Sequence, residues 1–345
     1  MECAPFTKPH RMILLRVWSR VASRAAQEVD RVDRRDNQQV APLTLVRALV
    51  LVAAVACGVV PRARAQELEP RSYSASPVGV SFVGASYAYS SGAIVFDASL
   101  PLTDVNAYIN GVGLGWGHTF GVLGRQALVT AALPYAFGDV TGSVFEQRRS
   151  VTRSGLADFR ARLALNLFGN PAMTRQEFAR RSRPPFLIGT SITVSAPIGQ
   201  YHGDKLINLG TNRWAFKPEI GVSVPWRKFD LEAYVGAWLF TDNPDFFPGG
   251  QSRHQDPLST TQAHVSYTFR PSLWIAADGT WYGGGAASVG GGPKSGRLDN
   301  SRLGATLSLP LTASQSAKLG YSRGALVRAG SNFSSITAAW QLRWF

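Results

Sequence analysis

The stretch Leu156-Ala-Asp-Phe-Arg-Ala-Arg-Leu-Ala-Leu-Asn-Leu-Phe168 decides the fold class of this 345-residue chain. From Phe159 to Leu167 every second side chain is apolar, and Arg160 and Arg162 stand between them. An extended strand places these two sets on opposite faces of a sheet. The apolar face must be covered by protein or lie in lipid, while the other face carries charge.

This unit of about ten alternating residues recurs along the chain, with breaks rich in Gly, Pro, Asn or Asp. It predicts about twelve strands, an even number as in bacterial single-chain barrels. The predicted strands are residues 78–89, 105–120, 126–137, 155–168, 186–197, 214–224, 229–240, 258–269, 273–282, 301–309, 317–323 and 333–344. Because no helical pattern intervenes, we predict an all-β fold, a transmembrane antiparallel β-barrel.

The connections between the predicted strands alternate in length, as they do in outer-membrane barrels. The short ones are 121–125, 225–228, 270–272 and 310–316, and the long ones are 90–104, 138–154, 198–213, 241–257 and 283–300. Short turns belong on the periplasmic side, which puts both termini there. Residues 169–185 are the exception, because they are long where a short turn is due. Within them, 173–181 is either an amphipathic helix or a solvated basic loop.

The alternation also predicts which side chains meet lipid. Leu163 falls on the lipid-facing side, and its neighbour Ala164 falls on the inward side. Aromatic residues near strand ends favour the headgroup boundary. They are Tyr135, Trp214, Tyr267, Trp281, Tyr321, Trp340 and Trp344. The alternating aromatic terminus resembles the assembly signal of outer-membrane proteins, so we expect Trp344 and Phe345 to engage the assembly machinery, and the barrel to contact the lipid bilayer and lipopolysaccharide.

The region before the barrel has the layout of a secretory signal peptide. Arg47 precedes an uncharged run at 48–60, and Ala63 and Ala65 supply the small residues of a cleavage site before Gln66. The uncharged run is shorter than the roughly 20 residues of a spanning helix. We therefore expect cleavage after Ala65.

These signals predict three segments. Residues 1–45 are interpreted as a non-native extension caused by a misplaced start, with Val46 as the alternative initiation site. The signal peptide is then 46–65, and the outer-membrane barrel is 66–345. A lipoprotein signal that ends at Cys57 is the alternative.

Removal of residues 1–65 changes the composition in two ways. It leaves 25 basic and 17 acidic residues, a net charge of +8 rather than the +14 of the full chain. It also removes both cysteines, Cys3 and Cys57, so we expect neither a disulfide nor a thiolate nucleophile. The basic residues are scattered over turns and strands rather than clustered in a binding module, so we expect no nucleic-acid partner.

The inward side of the predicted strands carries charges of both signs. The candidates for the lumen and its selectivity are Asp158, Arg160, Arg162, Lys217, Glu219, Asp230, Glu232, His264 and Arg302. Opposite charges on neighbouring strands can pair across the ladder and fill the interior. Alternatively, they line a water-filled path and set its selectivity. A barrel of about twelve strands is compatible with either arrangement.

Catalytic and metal-binding patterns are weak. His264 and Ser266 both point inward, but no acidic residue stands beside them at a readable spacing. His118, His202 and His254 lie in other elements, so no metal-ligand spacing is visible. We therefore expect no enzyme, no catalytic residue, no metal and no cofactor.

The most specific stretch is Asp204-Lys-Leu-Ile-Asn-Leu-Gly-Thr-Asn-Arg-Trp-Ala-Phe-Lys-Pro-Glu219. Together with Ser154-Gly-Leu-Ala-Asp158 and Gln255-Asp-Pro257, it resembles the family of outer-membrane transporters named for the meta-pathway of phenol degradation. The similarity covers most of residues 68–344. Ala157-Asp-Phe159 departs from the Gly-Asp-Pro of the family.

The resemblance implies a channel or transporter for passive uptake of small, hydrophobic or aromatic compounds, without catalytic residues. Tyr201, Asn208, Asn212 and Trp214 form its rim-loop motif at the outer end of the sixth predicted strand. Asn side chains can hydrogen-bond their own backbone and hold a tight loop, or they can contact substrate. A lipid-modifying outer-membrane enzyme that uses His264 and a closed structural barrel are the alternatives to transport.

Overall fold

The computed structural model describes residues 68–93, 102–144, 147–327 and 332–345. The predicted extension, signal peptide, cleavage site and Cys57 lie outside these residues. Within them the elements are β1 (Ser81–Ala93), β2 (Leu102–Val122), β3 (Arg125–Val144), β4 (Gln147–Leu156), β5 (Phe159–Phe168), α1 (Arg175–Arg180), β6 (Leu187–Ala196), β7 (Ala215–Trp226), β8 (Phe229–Phe240), β9 (Asn243–Phe246), β10 (Gln251–Gln255), β11 (Leu258–Arg270), β12 (Leu273–Gly284), β13 (Ala287–Val289), β14 (Leu298–Pro310), β15 (Gln315–Val327) and β16 (Asn332–Trp344).

The main sheet closes into an antiparallel barrel. Its 13 strands occupy twelve positions, because β4 and β5 follow one another along β3. β1 pairs with β2 on one side and with β16 on the other, and the pair Ser81↔Trp344 closes the ring. Strands β9, β10 and β13 form a separate small sheet within the long loops. The prediction of a twelve-stranded barrel is confirmed.

The barrel is apolar outside and polar inside, the reverse of a soluble protein. Leu114 is 70% exposed and Leu163 is 47% exposed on the outer surface, whereas Gln262 and His264 are buried inside. Closure of the ring gives each strand two hydrogen-bonded neighbours, which a lipid-exposed sheet requires. The short turns 123–124, 227–228, 271–272 and 311–314 lie at the same end of the barrel as the start of β1 and the end of β16, and this end is periplasmic.

Two sequence predictions about strand limits are wrong. Residues 138–154 were expected to be a loop, but β3 and β4 continue through them as a hairpin with Gly138 opposite Arg153. Beyond the membrane both faces of a hairpin meet water, so no apolar alternation marks it. The strand expected at 155–168 is interrupted between β4 and β5. There Ala157 donates its backbone N–H to the carbonyl of Pro134, which itself has no N–H to give.

The long periplasmic connection contains α1. Thr174 caps this helix, since its hydroxyl accepts from the Glu177 N–H while the Glu177 carboxylate accepts from the Thr174 N–H. Of the two interpretations of residues 173–181, the helix is observed. In the described part of the chain, no helix is both long and apolar enough to cross a membrane.

Candidate functional site

The N-terminal segment before β1 folds into the barrel lumen, and we call residues 68–76 the plug. Tyr73 is its anchor, with only 3% of its surface exposed. The Tyr73 hydroxyl is 2.9 Å from Ser191 Oγ on β6 and donates to Glu219 Oε1 on β7 at 3.0 Å. Its ring lies edge-on to Tyr234 of β8, with 5.2 Å between ring centroids. The plug therefore crosses the lumen against three consecutive strands.

Arg71 is the second anchor of the plug. Its Nη2 donates to Asp230 Oδ2 at 2.8 Å and to Thr268 Oγ1 at 2.6 Å, and its Nε donates to Ser266 Oγ at 3.0 Å. Its backbone N–H donates to Glu232 Oε2 at 2.8 Å. Charge-assisted bonds of this kind are about twice as strong as neutral ones. Arg71 thus contributes positive charge and N–H donors to Glu232 and to Asp230, which Arg183 also contacts.

Two glycines make room for the plug. Gly189 on β6 and Gly221 on β7 are cross-strand partners. A Cβ added at Gly189 would lie 2.1 Å from Tyr73 Cδ1, and one added at Gly221 would lie 2.4 Å from Tyr73 Cε2. Both distances are far below van der Waals contact. We call this pair the glycine notch, because a larger residue at either position would strike the Tyr73 ring.

The electrostatics of the lumen favour the plugged arrangement. Burial and the Glu219 carboxylate raise the pKa of Tyr73 to about 12, so at neutral pH its hydroxyl keeps the proton that it donates. Desolvation raises the pKa of Glu69, but the positive charges of Arg162 and Lys217 outweigh it and hold this pKa below its usual value. Glu69 therefore carries a negative charge that the positive charges of Arg162 and Lys217 stabilise.

Glu219 is the centre of a buried polar network beneath Tyr73. Lys217 Nζ lies 2.8 Å from Glu219 Oε2, and Gln262 Nε2 donates to the same oxygen at 3.2 Å. Arg162 Nη2 lies 3.9 Å from Glu219 Oε1, and Arg162 Nε donates to Ser191 Oγ at 3.2 Å. These residues come from β5, β6, β7 and β11, so the network holds one side of the lumen filled.

His264 has an acidic partner that sequence reasoning missed. Its Nδ1 lies 2.7 Å from Asp278 Oδ1, and Thr306 donates to the other oxygen of Asp278 at 2.6 Å. The two residues are direct cross-strand partners in the β11–β12 hairpin. The turn at 271–272 pairs Arg270 with Leu273, and a β-bulge between Thr268 and Arg270 shifts the register by one residue, so that Asp278 rather than Gly279 lies opposite His264. Counting back from the turn alone would have missed the pair. Ser266 beside it accepts from Arg71.

The opposite side of the lumen is open to solvent. β1, β2, β3, β15 and β16 turn mostly small residues inward, and several inward residues are exposed although they face the interior. On this wall they are Ser86, Ala132, Lys318 and Thr337, and Arg160 of the adjoining β5, the cross-strand partner of Ala132, is exposed on the same side. We call this wall the open side. Of the sequence-predicted lumen residues, Arg160 lies here, whereas Lys217, Glu219, Asp230, Glu232 and His264 lie in the filled part.

Asp158 lies outside both groups. It occupies the break between β4 and β5, and its Oδ1 accepts from the Gly199 N–H at 3.1 Å. Its Oδ2 accepts from the Thr211 N–H at 3.0 Å and from Thr211 Oγ1 at 2.6 Å. Asp158 thus ties the loop 197–214 to the wall, a position at the rim rather than among the other lumen charges.

Asn208 holds the same loop in shape from within. Its Oδ1 accepts from the His202 N–H at 2.8 Å, while its Nδ2 donates to the carbonyls of His202 and Lys205, both at 3.0 Å. Trp214 leaves the loop at the outer surface, where it is 45% exposed and its ring stacks on Phe216. The contacts of Asn208 are made to its own loop.

Asn212 and Tyr201 connect this loop to the neighbouring one. Asn212 Nδ2 donates to Asn243 Oδ1 at 2.8 Å, and Asn243 Nδ2 donates to the Tyr201 hydroxyl at 2.8 Å. The Tyr201 hydroxyl in turn donates to the Asp245 carbonyl at 2.9 Å. The rim-loop motif therefore links residues 197–214 to β9.

Asp158→Ala is expected to loosen the loop 197–214. The change leaves two backbone N–H groups and one hydroxyl without their acceptor, at a local cost of about 2 kcal/mol or more. Trypsin cleavage after Lys205, which is half-exposed, should accelerate in outer-membrane preparations. Asp242→Ala is the control, because Asp242 makes an exposed rim contact with His254. Equal cleavage rates in both variants would remove the anchoring role from Asp158.

The outer half of the lumen contains two buried apolar clusters. The first consists of Ala215, Trp238, Leu258, Tyr282 and Leu298, with Phe240 packed against it. The second consists of Val105, Ala107, Val140, Ile207 and Phe333, with Ile109 and Leu206 packed against it. We call them the first and second outer clusters. Because Leu206 and Ile207 belong to the loop 197–214, this loop folds inward rather than away from the barrel.

The closed barrel with its apolar belt and polar lumen is that of a bacterial outer-membrane protein. The family model described as "Putative MetA-pathway of phenol degradation" matches residues 87–342. The chain belongs to this family, and the resemblance seen in the sequence is confirmed.

The chain is similar to several solved structures. An outer membrane channel from Pseudomonas putida F1 is similar at a TM-score of 0.66 and 20% identity, over 81% of this chain and 100% of that one. The transport unit of the autotransporter AIDA-I from Escherichia coli matches at a TM-score of 0.44 and 11% identity, over 81% of this chain and 93% of that one. A FadL homologue from Pseudomonas aeruginosa matches at a TM-score of 0.36 and 10% identity, over 76% of this chain and 89% of that one. No curated protein matches.

Proposed function

We propose that this protein is an outer-membrane channel for the passive uptake of small, hydrophobic or aromatic compounds, and that it is not an enzyme. The open side carries the proposal, because inward residues such as Ser86, Ala132 and Thr337 remain in contact with solvent beside the plug. A lumen filled only for stability would bury them. The family description, which refers to phenol degradation, supports an aromatic substrate.

The lumen charges serve two purposes in this proposal. Glu219 and Asp230 hold the plug through Tyr73 and Arg71. Arg160 and Lys318 face the solvent of the open side and set its ion preference. Because charge in a narrow passage acts across its whole cross-section, these two cations should favour anions.

The contacts of His264 support transport over lipid chemistry. The His264 and Asp278 side chains are both 0% exposed and lie inside the barrel, where acyl chains of the surrounding bilayer do not reach. Ser266 is engaged by Arg71 rather than by His264.

At the periplasmic end, Phe345 is 57% exposed, which suits our proposal that Trp344 and Phe345 are recognised during assembly.

Planar-bilayer recordings of the refolded protein test the proposal. We expect single-channel currents with a reversal potential that shows anion preference in a salt gradient. The double variant Arg160→Gln/Lys318→Gln should lower the anion-to-cation permeability ratio by roughly two- to three-fold. Arg148→Gln/Arg149→Gln is the matched control, because these exposed arginines lie on β4 near the tip of the outer hairpin. If neither the parent protein nor variants with a displaced plug conduct ions, the result would favour a closed structural barrel.

A further inference from the structure

Arg302 is a buried cation in the outer half of the lumen. It lies on β14, and only 5% of its surface is exposed. Its Nη2 donates to Ser322 Oγ at 2.9 Å, and its guanidinium carbon lies 4.1 Å from the centroid of the Phe333 ring. Its cross-strand partners are Thr280 on β12 and Gly324 on β15. The guanidinium is therefore held between a hydroxyl and a ring face.

The surroundings of Arg302 differ from those of the other buried lumen cations. Arg71 pairs with Asp230, and Lys217 pairs with Glu219. Among the residues that the structure describes, the groups around Arg302 are neutral: the Ser322 hydroxyl, the Phe333 ring, and the phenols of Tyr282 and Tyr321. A buried charge without a counter-ion is costly. An uncompensated ionisable group inside a membrane barrel therefore points to a ligand of opposite charge.

Arg302 lies near a member of each outer cluster. Tyr282, a member of the first cluster, lies two residues from Thr280, the partner of Arg302 on the neighbouring strand. Phe333, on which the guanidinium stacks, belongs to the second cluster. A molecule that meets the guanidinium would therefore place its body beside aromatic and aliphatic side chains from both clusters.

We infer that Arg302 forms a binding site for the carboxylate of a small aromatic acid, whose ring lies between the two outer clusters. The inference rests on the proposed channel function and narrows its substrate class. A guanidinium has five N–H donors in a planar fork, and Ser322 occupies one Nη2 donor. The remaining donors match the two oxygens of a carboxylate.

Charge at neutral pH distinguishes an aromatic acid from a phenol as the ligand of Arg302. A carboxyl group has a pKa near 4 and is ionised at neutral pH, whereas a phenol, with a pKa near 10, remains neutral. Only the ionised group compensates the Arg302 charge. A neutral aromatic compound would leave the guanidinium unbalanced and should bind more weakly at this position.

Isothermal titration calorimetry in detergent tests the site with benzoate and with benzamide, its neutral isostere. We expect benzoate to bind at least about tenfold more tightly than benzamide, because its bonds to the guanidinium are charge-assisted. Arg302→Gln should reduce benzoate affinity to the level of benzamide, and Arg302→Lys should give an intermediate value. Arg148→Gln, at the tip of the outer hairpin, is the control. The folded fraction of each variant is verified by its mobility on gels without heating.

The outcomes distinguish failure of the aromatic-acid site from failure of the channel function. Equal affinities for benzoate and benzamide, no detectable benzoate binding, or benzoate affinity unchanged by Arg302→Gln would each overturn the site. If benzoate binds as expected while bilayer recordings show no current, the site stands and the channel function fails. If current flows without selective benzoate binding, the channel stands and the aromatic-acid site fails.

Discussion

Gly189→Ala is expected to raise the single-channel conductance several-fold. The added Cβ would lie 2.1 Å from Tyr73 Cδ1, and the three nearest atoms all belong to the Tyr73 ring. The ring must move by roughly 1 Å or more to restore van der Waals contact, which takes it out of the glycine notch and away from Glu219. With this anchor displaced, the plug no longer fills its side of the lumen. Bilayer recordings in symmetric salt measure the change.

Two controls separate displacement of the plug from damage to the wall. Gly115→Ala also adds a methyl group on an inward face, but its Cβ would lie 3.6 Å from the Ala131 carbonyl, an ordinary contact. It should leave conductance unchanged. In a Tyr73→Ala background the ring is absent, so Gly189→Ala should add nothing further. An equal conductance in the parent, Gly189→Ala and Tyr73→Ala would show that the plug does not restrict the passage.

Leu133→Arg is expected to lower the free energy of unfolding in lipid vesicles by about 2–4 kcal/mol. Leu133 is 38% exposed on the outer face of β3, opposite Leu114. An arginine there must be transferred from water into hydrocarbon. The neighbouring substitution Ala132→Arg points into the solvent of the open side and should cost much less. Equal losses in urea titrations would refute the assignment of faces.

Ala164 is also an inward position, and from the alternation alone an arginine there is expected to cost little. Ala164 is 5% exposed, and it packs in one cluster with Tyr73, Tyr234 and Leu128. An arginine at this position would collide with the plug, so Ala164→Arg should destabilise as well as open the lumen. Ala132 is the better control because nothing packs over it as tightly.

The sequence by itself determined the class of protein, the faces of its strands and its family. The strand Phe229–Phe240 has the predicted limits, and Leu163 meets lipid as predicted. Alternation is a local property, because a strand turns neighbouring side chains to opposite faces whatever its partners are. A lipid-facing sheet strengthens the signal, since each outward residue within the bilayer has to be apolar.

Only the tertiary structure decided what occupies the lumen. Residues 68–76 have no alternation that marks them, and the partner of Arg71 is Asp230, 159 residues away. The pairing of His264 with Asp278 depends on hairpin register, and the contrast between the filled side and the open side depends on which strands the plug contacts. Apart from the hairpin pair, these are long-range contacts among polar groups, so they follow from closure of the barrel and not from any periodicity along the chain.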